Sequence, residues 1–296
     1  VRVRVDKFEQ VLLIASLLWG TSFVASKIGV SHVDPYFFGM GRWIIGAAVL
    51  VLVALATKTF APKLFSKPLV WGLGLVNALG LTLQNVGMTQ TTATNTVLLV
   101  DINVVFVAVI SFAVLSERIT KYTIYGLLLG LLGVGIVSTG GDLSQMMQGS
   151  FVGNVLVFAA GIVWAFYIVY QKKLVNEHVE PIMTSAAVVT TTAVFSIPIA
   201  LVFASNVALD ATGAWSMLYL GVVCTAAAWL LYIMGLRGKG ATDSSVILFM
   251  EIVFAMVFAF LLLGETPDWF TAIGGVLILL SVLLVSASPN GKKREG

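Results

Sequence analysis

Trp19-Gly20-Thr21-Ser22-Phe23, followed by Lys27 and then His32-Val33-Asp34-Pro35, returns later in the chain as Trp164-Ala165-Phe166-Tyr167, Lys172 and His178-Val179-Glu180-Pro181. A second passage also repeats. Thr91-Thr92-Ala93-Thr94-Asn95-Thr96-Val97-Leu98 matches Lys239-Gly240-Ala241-Thr242-Asp243-Ser244-Ser245-Val246. Each copy leads into an apolar run that closes on Leu115-Ser116-Glu117 or Leu263-Gly264-Glu265. The separations are 145, 146 and 148 residues, so they drift only slightly. The chain is therefore two related halves, read as 1–145 and 146–296.

The solvent for both halves is a bilayer. The chain is 59% hydrophobic and 10% charged, with a mean hydropathy of +1.01. A soluble domain carries about 25% charged residues. Ten apolar runs are evident, at 9–29, 35–57, 69–89, 93–115, 122–139, 151–171, 182–204, 215–236, 241–263 and 269–287. Each approaches the roughly 20 residues that a helix needs to cross 30 Å of hydrocarbon. They are long and continuous, whereas β-barrel strands are short and alternating. The first run reads as helix 1 rather than a signal peptide, since nine more follow it.

Charge fixes an orientation. With the N-terminus in the cytoplasm, 15 of the 17 Lys and Arg residues fall in cytoplasmic segments. The other two, Lys27 and Arg42, lie within helices 1 and 2, and the outer loops carry acids such as Asp34, Asp142, Asp210 and Asp268. The basic balance thus marks topology, with no nucleic-acid partner expected. Five helices per half is an odd number, so the second half inserts upside down. The expected fold is all-α: ten transmembrane helices in two inverted five-helix repeats, the pattern of secondary transporters.

Several passages resemble the drug/metabolite transporter superfamily, and within it the EamA-type ten-helix transporters. They are Leu18-Trp19-Gly20-Thr21-Ser22-Phe23, Gly39-Met40-Gly41-Arg42-Trp43, the stretch from Leu83 to Thr96, and the two helix ends at Glu117 and Glu265. The resemblance covers about residues 8–288. It implies transport of small metabolites, often amino acids or related amphipathic compounds and usually outward, across a plasma membrane. One departure stands out. The family usually has a proline early in helices 4 and 9, where this chain has Val104 and Ile252. Less kinked helices are expected there.

Charges deep in a membrane segment are costly and face the bundle interior. Asp101 in helix 4 and Glu251 in helix 9 both fall near the midplane, as a proton-coupling or cation-binding pair or as packing groups. Arg42 in helix 2 is a candidate for gating, for an ion pair with Asp101 or Glu251, or for snorkelling to Asp34, on a stripe with Gly39 and Gly46 where another helix packs closely. Trp19 and Trp164 are repeat-equivalent and lie mid-helix, away from the interfacial belt. With Tyr167, Trp229 and Tyr232 they form a candidate substrate-binding set, to which the polar Asn77, Gln84 and Asn103 are added; Asn85, Asn95, Asp243 and Tyr170 are further polar positions. Packing is the competing reading for every ring. His32 and His178 sit in loops on opposite membrane faces and share no metal; their prolines open helices 2 and 7. Gly130, Gly133, Gly135, Gly274 and Gly275 read as close-packing positions, and Glu117 and Glu265 as local contacts.

With one cysteine and two loop histidines, the usual enzyme constellations are missing, and no cofactor or metal is expected. The expected partners are a small-molecule substrate and membrane lipid, with proton coupling, in a monomer or homodimer. Three alternatives stay open: efflux of cationic drugs such as quaternary ammonium compounds, transport of phosphorylated sugars or nucleotide-sugars, and, outside transport, a lipid scramblase or membrane-embedded enzyme.

Overall fold

The structure, a computed structural model, describes residues 6–88, 90–91, 99–144, 149–177, 179–205, 208–263 and 268–287. Ten long helical segments and one short 3-10 helix, Pro62–Ser66, occur among them, and no strand. The ten are α1 (Lys7–Val30), α2 (Pro35–Ala56), α3 (Pro68–Met88), α4 (Leu99–Leu115), α5 (Lys121–Thr139), α6 (Phe151–Val175), α7 (Pro181–Phe203), α8 (Ala211–Gly238), α9 in two pieces, α9a (Ala241–Leu248) and α9b (Met250–Leu263), and α10 (Trp269–Ser286). Seven of these are long and apolar enough to cross a membrane, while α3 and α4 supply shorter apolar stretches.

Local chemistry sets the starts. Asp6 caps α1 in a reciprocal box with Glu9, accepting from the Phe8 and Glu9 amides. Asp34 caps α2 by accepting from the Tyr36 and Phe37 amides, and Asp210 caps α8 by accepting from the Gly213 amide. Pro35 and Pro181 occupy the first turn of α2 and α7, where a missing N–H costs nothing, as the sequence implied.

The helix partnerships carry the pseudo-symmetry. The main packing pairs are α1 with α8 and α9b, α2 with α7 and α8, α3 with α6 and α7, α4 with α6, and α5 with α10. Exchanging each helix for the one five places along maps this set onto itself: α1–α8 becomes α6–α3, α1–α9 becomes α6–α4, and α2–α7 and α5–α10 map onto themselves. Every one of these pairs joins one half to the other, so the halves share a single core. At the α5–α10 crossing the backbones nearly touch. A Cβ on Gly133 would stand 2.7 Å from the Gly274 carbonyl oxygen, and one on Gly274 would stand 2.6 Å from the Gly133 oxygen. Gly46 is similarly tight against Thr225, but Gly39 has nothing within 4 Å, so the expected stripe of close contact beside Arg42 holds at one end only.

Two irregularities matter for the site. The middle of α8, Leu220–Ala227, is wound as a π-helix, a form that concentrates at functional positions. Helices α4 and α9 are interrupted despite lacking proline. At Ile102 and Phe249 the backbone tightens to three-residue bonds: Val105 N to Ile102 O at 3.0 Å, and Ile252 N to Phe249 O at 3.1 Å. Each of these helices thus carries a break in its hydrogen-bond ladder without a proline to cause it. In α9 the physical cause is packing. The Phe249 ring is 3% exposed and fills the space left by Gly130, where a Cβ would come within 2.7 Å of it.

Long-range contacts define two ends. At the proximal end, where α1 starts and α10 finishes, Lys239 binds Asp6 and Glu9, Lys67 pairs with Glu177, Thr123 donates to Asp243, and Lys172 donates to the Leu236 carbonyl at the end of α8. At the distal end His32 pairs with Asp210 and Asp34 accepts from Ser205.

Candidate functional site

Trp19 and Trp164 lie at the middles of α1 and α6, and between them runs a chain of rings. Trp229 is its hub. It meets Trp19 edge-on at 5.3 Å between centroids and Trp43 edge-on at 5.2 Å. Its Nε1 donates to Tyr167 Oη at 2.9 Å. Tyr167 in turn stands edge-on to Trp164 at 5.7 Å, and Tyr232 lies 5.6 Å from Trp19. Each edge-to-face pair contributes about 0.5–1.5 kcal/mol beyond its buried area. Trp43, Tyr167, Trp229 and Tyr232 are all buried, whereas Trp19 and Trp164 keep accessible surface. The four buried rings are a floor, and the two repeat-equivalent tryptophans stand on it.

Trp19 is anchored by the irregular part of α8: its Nε1 donates to the Cys224 carbonyl at 2.9 Å. One residue on, Thr225 Oγ1 accepts from Arg42 Nε at 2.8 Å. The Arg42 guanidinium also lies 5.6 Å from the Trp43 ring centre. The π-helical stretch therefore holds both Trp19 and Arg42. Arg42 does not pair with Asp101 or Glu251, nor does it reach Asp34, whose oxygens are taken by Tyr36, Phe37 and Ser205. A hydroxyl partner leaves the guanidinium's remaining donors for another acceptor.

Asp101 and Glu251 flank the two helix breaks, one residue before Ile102 and two after Phe249. They are close enough for their charges to interact. Both are closely surrounded by protein yet keep accessible surface. Arg42 has the same character. Charged groups enclosed in this way are spared direct contact with lipid, as groups within a membrane segment must be. Glu251 reaches this position because α9b runs tightly along α1: a Cβ on Gly20 would stand 3.1 Å from the Glu251 carbonyl oxygen.

Other candidates fall elsewhere. Asn77 is fully buried and donates to Thr192 Oγ1 at 3.0 Å, tying α3 to α7. Gln84 and Asn103 are half-buried on α3 and α4, outside the ring chain. Tyr170 stacks on Phe166, apart from it. Asp243 is held by Thr123, and Glu117 is no local contact: both its oxygens accept from the Ala241 amide, at 3.0 and 2.9 Å, so it caps α9a from 124 residues away. Asn95, His178 and Glu265 lie outside the described residues, as do the side chains of Lys27 and Asn85. Sequence reasoning missed Trp43, Cys224 and Thr225. Trp43 carried a usable signal, being mid-helix like Trp19; the role of Cys224 is made by its carbonyl, which no side-chain pattern announces.

The comparisons agree with this architecture. The family model described as the EamA-like transporter family matches residues 8–139 and 151–287. An uncharacterized transporter of Archaeoglobus fulgidus is 29% identical over 288 residues, which is 95% of this chain and 98% of that protein. The uncharacterized transporter YoaV of Bacillus subtilis is 26% identical, with 92% and 94% covered. A probable terminal-alkyne amino-acid exporter of Streptantibioticus cattleyicolor is 24% identical, with 99% and 98% covered. One crystal structure matches with a TM-score of 0.82 at 18% identity, covering 95% of this chain and 98% of its own, which shows the shared fold. A bilayer composition, a twofold-related ten-helix core and a family match in both halves lead to one conclusion: this multi-pass membrane protein belongs to the EamA-like transporter family.

Proposed function

We propose that the protein is a secondary active exporter of amino acids or related amphipathic compounds, working by alternating access around the ring-floored chamber. The observation that carries this reading is the composition of the chamber. Asp101 and Glu251 offer negative charge from α4 and α9, Arg42 offers a guanidinium from α2, and Trp19 and Trp164 offer apolar faces between them. Such a set suits a small solute with an ammonium, a carboxylate and an apolar part. The amino-acid exporter among its relatives supports the same class.

Burial suggests which side is open. Pro181–Ala193 of α7 is almost wholly buried, and Val194–Phe203 mostly is not. In α9 the buried stretch is Ala241–Met250, while Glu251 onward is looser. The proximal end is thus the sealed one. The excess of basic residues at that end supports a cytoplasmic placement, in what we read as a plasma membrane. On this reading the chamber opens outward here, and rocking of the halves opens the other side. Proton exchange through Asp101 and Glu251 drives the cycle. Among the described residues Arg42 is the positive group placed there, which argues against phosphorylated sugars, since they call for more.

The test is solute-induced thermal stabilisation of the purified protein against amino acids, cationic drugs and sugar phosphates. A ligand at one hundred times its Kd adds about 2.7 kcal/mol. An amino-acid hit that disappears in Trp164→Ala supports the site. Stabilisation by organic cations alone overturns the amino-acid class, and a flat panel removes its support.

A further inference from the structure

Eight described residues have a buried side-chain nitrogen or oxygen without a partner; Trp43, Asn77, Trp164 and Thr190 lie deeper, and the other four lie near the proximal end. These four are Gln171, through both amide atoms, Ser185 Oγ, Tyr232 Oη and Ser244 Oγ. Their exposures run from 0 to 2%. They come from four successive helices, α6, α7, α8 and α9a. Gln171 is four residues from the end of α6, Ser185 four from the start of α7, Ser244 three from the start of α9a and Tyr232 six from the end of α8. At 1.5 Å per residue, all four lie within about 9 Å of the same end. Those helices touch one another in every pairing but α7 with α9a.

An unpaired polar group out of water costs about 1–3 kcal/mol, and native cores keep few of them. Four at one depth on converging helices is a costly way to build a plug. The cost has a use if water meets these groups in another conformation. The repeat supplies a second, independent observation. Gln171 corresponds to Ser26 at the 145-residue spacing, and Ser185 to Gly39 at the 146-residue spacing. At the distal end Ser26 keeps accessible surface, and Gly39 has nothing within 4 Å of the place a Cβ would take. In an inverted repeat, exchanging the conformations of the halves gives the opposite-facing state. Positions that are open in one half are then open in their counterparts.

We infer that Gln171, Ser185, Tyr232 and Ser244 form the closed proximal half of the translocation path, and line an aqueous vestibule that the solute crosses when that end opens. This rests on the transport reading above, and it adds a set of solute-contacting residues to it. The seal over them is the clasp of Lys239 on Asp6 and Glu9, at 2.7 and 2.6 Å.

The experiment reads accessibility rather than flux. Ser185→Cys, which is nearly isosteric, and Gln171→Cys are placed separately in the full chain in membranes, with and without Lys239→Gln. A membrane-impermeant maleimide is applied to the proximal face. Lys63→Cys, exposed at that end, is the positive control, and the native protein with its buried Cys224 is the baseline. The expected result is slow labelling that rises about tenfold or more with Lys239→Gln, as the population shifts toward the proximally open state. Labelling at both positions that stays at baseline while Lys63→Cys reacts overturns the inference, as does labelling from the distal face alone. Proximal labelling with no flux of amino acids would keep the path and sink the substrate class.

Discussion

At the residue scale, the site works through partners that leave something over. Trp229 is satisfied by Tyr167, whereas Arg42 spends one donor on Thr225 and has others to spare. Tyr167→Phe strands the Trp229 indole N–H in a buried place. It is expected to cost about 1–3 kcal/mol of stability, read as a lower thermal midpoint. The Lys239 clasp gives a pH signature. Burial disfavours the Asp6 carboxylate, but the Lys239 ammonium and the Glu9 and Phe8 amides outweigh it and hold the group below its ordinary value. Burial likewise opposes the Lys239 charge, and its bonds to Asp6 and Glu9 outweigh that and hold it above the ordinary lysine value. The depressed carboxylate stabilises above its unfolded pKa of 3.8 and loses this as pH falls through the folded value. The raised ammonium stabilises fully below 10.5 and loses this as pH rises through its folded value. The clasp is therefore at full strength from roughly pH 5 to 9. The difference in thermal midpoint between native protein and Lys239→Gln should be flat across that window and shrink outside it.

At the element scale, the helices were legible because the bilayer demands long apolar runs, and the starts of α2 and α7 were legible because Pro35 and Pro181 act locally. The Trp19 and Trp164 repeat likewise placed two rings at mid-helix, where the structure has them in one cluster of ring contacts. Two things were hidden. The breaks at Ile102 and Phe249 arise without proline; at Phe249 a ring seats against Gly130 on a distant helix, so no local signal exists. The π-helical stretch of α8 is equally silent in sequence, and so is the reach of Glu117 to α9a. Packing also separates glycines that look alike. Gly274→Ala drives a methyl group toward the Gly133 carbonyl oxygen and is expected to cost about 1–3 kcal/mol by strain. Gly39→Ala meets open space and should leave the thermal midpoint unchanged or slightly raised.

At the scale of the whole molecule, the halves exchange partners across one core, so neither can move without repacking against the other. Burial is deeper at the proximal end, along residues 181–193 and 241–250, than farther along, where Asp101, Glu251, Trp19 and Trp164 keep accessible surface. That asymmetry within a near-symmetric contact pattern is what an alternating-access machine requires, since its second state is the same pattern with the ends exchanged. The most direct test is amino-acid flux in proteoliposomes under an imposed pH gradient, comparing native protein with the Asp101→Asn, Glu251→Gln double variant. The account predicts pH-driven flux well above protein-free vesicles for the native protein, and its loss in the double variant. Native flux at the level of empty vesicles, or full pH-driven flux in the double variant, would contradict it.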